Sequence, residues 1–195
     1  MEIDNLKHVL PFLTFTSEDD FYYLQILQRV KDNPGLGRNS RVVKNYYLTS
    51  QEQLIKKYEE IKDLCRTFNA RASIRLNKRS FEKVGFKSME NMAKSMGSRD
   101  FRYLSKVYDR ACGSCHNDPN KKWIVDIDDK WEEEKLALLE TDIDMLEPLG
   151  SKIYATIPSK TGLHIITKPF NLHEFKGLWP KVDVHKDNPC NLFIP

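Results

Sequence analysis

The chain has 195 residues, enough to bury a core of its own, and its 40% hydrophobic and 30% charged residues are those of a soluble globular protein. No run of about 18 apolar residues occurs, which excludes a membrane-spanning helix; Glu2, Asp4 and Lys7 break the apolar stretch a secretory leader needs, so a cytoplasmic location is the expectation. A net charge of +3, from 31 basic and 28 acidic residues, is too mild to demand a nucleic-acid partner and does not exclude one.

Residues 1–32 read as helical. Ser17-Glu18-Asp19-Asp20 is a helix-start cluster, and Phe21, Leu24, Ile26, Leu27 and Val30 follow at near-helical spacing. Asn33-Pro34-Gly35-Leu36-Gly37 stops that helix, and a basic loop, Arg38-Asn39-Ser40-Arg41, leads to a strand over 42–48. Thr49 and Ser50 cap the next helix, which carries the stripe Leu54, Ile55, Tyr58, Ile61, Leu64 and Cys65 and ends at Asn69. A strand over 71–77 is expected to pair with 42–48 through that crossover helix. Its Arg71, Ser73, Arg75 and Asn77 share one face, either the lining of a groove or a solvated sheet surface. Residues 80–110 read as helical with a break at Gly97-Ser98, and 111–121 as a loop.

The stretch 122–129 reads as a buried strand ending in acids. After it come a helix over 131–146, with Trp131, Leu136, Leu139 and Met145 inward, and a hairpin of strands 153–157 and 163–167. Asn171 caps a short helix holding Phe175, Leu178 and Trp179, and brief strands follow at 182–185 and 191–194. This order of elements predicts an α/β or α+β sandwich with a mixed sheet.

Three groups of residues carry candidate chemistry. Asp126 and Asp128, two apart on a strand, project together, and side-by-side acids call for a compensating cation. We read a divalent-metal site there; the plainer reading, an acidic strand end capping the next helix, suits Asp129 better. The turn Ser159-Lys160-Thr161-Gly162 offers hydroxyls, an ammonium and backbone amides to phosphate oxygens. His164 just beyond it bonds a phosphate or sugar hydroxyl, or is a core histidine satisfied by backbone. Cys112-Gly113-Ser114-Cys115-His116 has the spacing of a zinc half-site, which Cys65, Cys190 or His185 would have to complete through the fold; the alternative is incidental thiols on a loop.

The strand Ile124-Val125-Asp126-Ile127-Asp128, followed by Ser159-Lys160-Thr161-Gly162-Leu163-His164 heading another strand, resembles the archaeo-eukaryotic primase superfamily. The nearest likeness is to the polymerase domain of bacterial end-joining ligases and the small primase-polymerases of phages and mobile elements. The likeness is close over residues 120–195 and covers the upstream strands in outline. It implies one catalytic domain, with an RRM-like core in 111–195 and an N-terminal α/β half in 1–110 packed against it. It implies a third motif at Val182-Asp183, with Asp187 as the alternative, and places Arg75, Asn77, Lys78 and Arg79 toward nucleotide or template. The implied activity is that of a DNA primase or primase-polymerase joining NTPs or dNTPs. Asp126, Asp128 and Asp183 would hold two Mg²⁺ or Mn²⁺ ions about 4 Å apart, and Ser159, Lys160, Gly162 and His164 the triphosphate.

Arg38, Arg41, Lys44, Arg71 and Arg75 would supply a positive groove for single-stranded or primed DNA, or are ordinary surface charges. Helicase or other replication proteins are the implied partners, and a bacterial or phage-infected cell the setting. A metal-dependent nuclease or phosphohydrolase, and a non-catalytic nucleic-acid-binding relative, are the competing readings.

Overall fold

The computed structural model describes residues 2–116 and 118–195, which form an α+β fold of two antiparallel sheets and six α-helices. The first departure from expectation lies in residues 1–32. Among the described residues there, only α1 (Leu6–Val9) and one 3-10 turn are helical; β1 (Ile3–Asp4) precedes them, and residues 20–28 form the long strand β2 (Asp20–Gln28). Phe21, Tyr22, Tyr23, Leu24 and Ile26 are all buried, so both faces of β2 are covered and no alternation marks it as a strand. The acids read as a helix start do other work. Asp20 Oδ2 accepts from the Thr16 amide and from Lys78 Nζ, each at 2.7 Å, and Asp19 Oδ1 accepts from the Glu82 amide at 2.8 Å.

β3 (Arg41–Leu48) leads into α2 (Gln51–Phe68), whose ends are the expected ones. Ser50 Oγ accepts from the Gln53 amide at 3.1 Å, and Asn69 closes the helix in the left-handed region at φ 43°. Leu54, Tyr58, Ile61 and Cys65 turn inward. Each such fully buried large side chain contributes roughly 1.5–3 kcal/mol. Next come β4 (Arg71–Ile74), β5 (Arg79–Ser80), α3 (Phe81–Gly97) and α4 (Val107–Ser114), with the helical run broken after Gly97 as expected.

The remaining elements are β6 (Trp123–Ile127), α5 (Glu133–Met145), the hairpin β7 (Ile153–Pro158) and β8 (Leu163–Thr167), α6 (Leu172–Leu178), β9 (Asp183–His185) and β10 (Cys190–Ile194). Met145, expected inward on α5, is 69% exposed; Leu139 and Ile143 take the buried face. Asn171 caps α6 as expected, accepting from the His173 and Glu174 amides.

The larger sheet runs β1-β10-β4-β2-β3, with β5 beside the start of β2; the smaller runs β7-β8-β6-β9. Every pairing is antiparallel, which corrects the expected mixed sheet. The predicted pairing of 42–48 with 71–77 fails for a simple reason: β2 lies between β3 and β4 and pairs with both. β10, from the C-terminal half, sits inside the larger sheet between β1 and β4.

One apolar cluster continues from Leu24, Ile26, Ile61 and Leu192 to Ile124, Ile157 and Ile166 of the smaller sheet. The other face of that sheet, Val125, Ile127 and Ile165, packs with Leu139, Ile143 and Phe175. Alternation along β6 thus leaves Ile124 and Asp126 toward the larger sheet. No helix among the described residues is long and apolar enough to cross a membrane.

Candidate active site

Cross-strand register brings Asp126 and His164 together. The two are direct partners on β6 and β8, so their side chains share a face. His164 Nε2 lies 3.4 Å from Asp126 Oδ1, and His185 Nε2, from β9, lies 3.6 Å from Oδ2. The hydrogen bond from His164 holds the Asp126 carboxyl below its usual range against the opposing effect of burial, and His185 adds to the lowering. On its other side, His164 Nδ1 lies 3.7 Å from the buried Cys190 thiol. Burial pushes that thiol up to about 12, so it stays protonated. His164 is therefore a buried histidine whose ring partners are side chains, not backbone.

Asp126, Asp128, Ser159, Lys160, Thr161 and His164 line one side of a cavity of about 370 Å³, and Arg29, Lys31, Asp32 and Arg71 of the larger-sheet side line the other. A second cavity of about 310 Å³ adjoins it, sharing Arg29, Asp126, His164 and Asn191 and adding His185 and Ser73. The cleft is an interface between the two sheets.

The turn is built by its own bonds. The Ser159 amide donates to the Gly162 carbonyl at 2.9 Å, and the Gly162 amide to Ser159 Oγ at 3.1 Å. Those two amides are spent, so phosphate contact from this turn falls to Lys160, Thr161 and the remaining capacity of the Ser159 hydroxyl. Gly162 has a steric role: a Cβ there would sit 1.8 Å from the Ile127 carbonyl oxygen and 3.0 Å from the Asp128 carbonyl carbon. The missing side chain is what lets the turn close on the acidic strand end. Gly162→Ala is expected to destabilise the fold by about 1–3 kcal/mol. Calorimetry checks this; an unchanged melting temperature would contradict it.

Asp32 is a site residue with no signal in the sequence, where it lies in a segment that reads as a helix end. Its carboxylate accepts from Arg71 Nε at 2.7 Å and Nη2 at 2.8 Å and pairs with Lys160 across the cleft. Arg71 foremost, with Lys160, depresses its carboxyl to about 2. A depressed carboxyl stabilises the fold fully above its unfolded value of about 3.9, and that stability is lost as pH falls toward 2. Asp32→Asn is therefore expected to flatten the loss of stability between pH 4 and 2, measured by denaturation against pH; an unchanged acid limb would exclude the role. His185 is the other residue missed as an acid-site neighbour. Its signal was its place two residues after Asp183, on the same face of the same strand.

The other predicted residues divide. Asp183 is the register partner of Asp126 on β9, but its carboxylate is 70% exposed and lies 3.4 Å from Lys176 Nζ. Asp187 is elsewhere: it bonds Arg75 Nη1 at 3.0 Å and Arg79 Nη2 at 2.6 Å, and Asn77 Nδ2 at 3.2 Å. Asn77 also brackets the Lys122 backbone, accepting from its amide at 2.7 Å and donating to its carbonyl at 3.0 Å, while Lys78 is held by Asp20. Arg75 and Asn77–Arg79 are thus tied into the scaffold, and Arg75 does not reach the Asp126 cavity. Lys44 pairs with Glu60, and Arg38 is exposed on its loop. Asp129 does not cap α5, whose N-cap is Glu132 with no side-chain bond.

The zinc half-site is not completed by the residues proposed for it. Cys112 belongs to a small cluster with Phe21 and Tyr23, Cys65 and Cys190 lie in the main core, and His185 is beside Asp126. Among the described residues, no three His, Cys, Asp or Glu side chains are grouped to hold a metal ion. Compared with protein-family models, characterised proteins and solved structures, the chain matches none.

Proposed function

We propose that this chain is a template-directed nucleotidyltransferase of the primase-polymerase kind, joining NTPs or dNTPs with Mg²⁺ or Mn²⁺. One observation carries the reading: a single cleft sets Asp126 and Asp128 beside Lys160 and Ser159 and opposite Arg29, Lys31 and Arg71. Two acids with Lys160 on one wall, faced by three cations with Asp32 on the other, suit a metal-bound triphosphate better than either ligand alone. In this reading the four-stranded sheet with α5 and α6 is the RRM-like core, and the larger sheet is the half packed against it.

The donor set fits a hard cation. Mg²⁺ is commonly held by one or two carboxylates with substrate phosphates and water completing its shell, so Asp126 and Asp128 suffice for one ion. A second ion would call on Asp183, the register partner of Asp126. Bound there, such ions would lower the pKa of the attacking 3′-hydroxyl and offset charge on the leaving pyrophosphate.

The protein's own groups do the rest. Lys160 presents three donors and is half exposed, free to exchange Asp32 for a phosphate oxygen. Arg29 and Lys31, with Arg71 paired to Asp32, would offset negative charge on the triphosphate. His164, fixed between Cys190 and Asp126, and His185 together keep the Asp126 carboxylate ionised and aimed into the cleft. The test is incorporation of labelled nucleotide on a primed template with Mg²⁺ or Mn²⁺. Metal-dependent extension supports the reading. Degradation of the input strand favours a nuclease, and binding without turnover a non-catalytic relative.

A further inference from the structure

Helix α3 turns its polar side inward and its apolar side to solvent. It lies against α4 and the 3-10 turn at residues 101–106. Val84 and Ser88 are its buried residues, and Asn91 and Ser95 are partly buried beside them, since positions 84, 88, 91 and 95 fall on one stripe of a helix. The Ser88 hydroxyl is satisfied within the helix, donating to the Val84 carbonyl at 2.7 Å. The large apolar side chains point the other way: Phe86 is 66% exposed, Met89 67%, Met92 43% and Met96 55%. These four share one arc of the helix, and from Phe86 to Met96 the stripe runs about 15 Å. Phe101 and Tyr103, just beyond it, are exposed as well. An apolar stripe rimmed by charge is the mark of a docking surface.

We propose that this stripe receives an acidic amphipathic helix of another protein. The charge around it selects that partner. Residues 83–110 hold seven basic and three acidic side chains, a net of +4 where the whole chain has +3. The three acids are engaged within the protein. Glu90 pairs with Lys87 at 2.8 Å and with Lys94, Asp100 pairs with Arg102 at 2.9 Å, and Asp109 accepts from Tyr47 at 2.6 Å. Lys83, Lys87 and Lys94 run along one flank of the stripe, at the spacing of successive helical turns. A partner helix with apolar residues three and four apart and acids beside them meets the stripe and the flank together. Methionine, unbranched and adaptable, suits such a groove. A second copy of this chain would bring the same positive segment against this one. A lipid surface fits less well, because the exposed Glu82 lies in line with the stripe and would be carried into the acyl boundary.

This site stands or falls independently of the nucleotidyltransferase reading. The probe is a fluorescein-labelled synthetic peptide of about 16 residues, with Leu and Phe on one face of its helix and Glu along the flanks, followed by anisotropy. A control peptide carries Lys in place of each Glu. Wild type is compared with Met89→Gln/Met96→Gln, which keeps length and helix propensity at exposed positions, and with Lys83→Gln/Lys94→Gln. Both variants are expected to melt near wild type. The methionine variant is expected to bind the acidic peptide about ten-fold or more weakly. The lysine variant is expected to bind it more weakly with a flatter salt dependence. No binding by wild type, equal binding of the two peptides, or unchanged affinity in the methionine variant overturns the proposal. So does a wild-type dimer in light scattering that Met89→Gln/Met96→Gln dissolves, which assigns the stripe to a second copy. Co-sedimentation with phosphatidylglycerol vesicles in place of peptide binding overturns it too, in favour of a lipid surface.

Discussion

Replacing Asp126 and Asp128 together with asparagine is expected to lower nucleotide incorporation by at least about 1,000-fold, a loss of roughly 4 kcal/mol of transition-state stabilisation. The fold should persist. Among the described residues the charged contacts of Asp126 are long ones, at 3.4 and 3.6 Å, to two histidines, and Asp128 is exposed, so asparagine removes charge without opening a cavity. Melting temperature and single-strand binding therefore serve as controls and are expected to stay near wild type. Incorporation retained within ten-fold would remove these carboxylates from the chemistry. Lost incorporation with an intact melting transition assigns them to it.

Asp187→Ala is expected to act in the opposite way, on stability and not on the site. Arg79 has a fully buried side chain, and Asp187 supplies the only carboxylate it meets among the described residues, as well as one for Arg75. Removing one partner of a buried ion pair strands the other charge and costs about 3–5 kcal/mol. For a chain of this size that corresponds to a fall in melting temperature of roughly 6–20 °C. Asp183→Asn, at an exposed carboxylate, should leave the melting temperature almost unchanged and act on metal-dependent incorporation instead. The pair of variants separates the two aspartates that compete for the third-motif role. Wild-type stability in Asp187→Ala would refute the structural assignment.

What could be read from the sequence was local. The β7–β8 hairpin, the Asn171 cap and the α2 caps at Ser50 and Asn69 were legible because turn and cap chemistry is written in adjacent residues. β2 was not, because burial on both faces erases the period of two, and Phe21, Leu24, Ile26 and Leu27 then imitate a helix. That one misreading also produced the mixed sheet, by leaving β3 and β4 free to be paired. The acidic wall of the cleft could be read because Asp126 and His164 belong to one small sheet and Ser159 to the turn of its hairpin. The basic wall could not: Arg29, Lys31 and Asp32 follow the misread strand, and nothing nearby in the sequence marks them as opposite Lys160.

The position of β10 has a consequence for how the molecule is made. β1 is hydrogen-bonded to the rest of its sheet through β10, with Ile3 opposite Ile194, and β4 shows an open edge until β10 arrives. A ribosome that has delivered the first 110 residues has therefore released a sheet with one strand unattached and an unpaired edge, the kind of surface that recruits other chains. The larger sheet cannot close before all four strands of the smaller one have been synthesised. Contacts of such sequence separation form slowly. The order of translation thus places the acidic half between the basic half and its completion, and the two walls of the cleft are joined in the same late event.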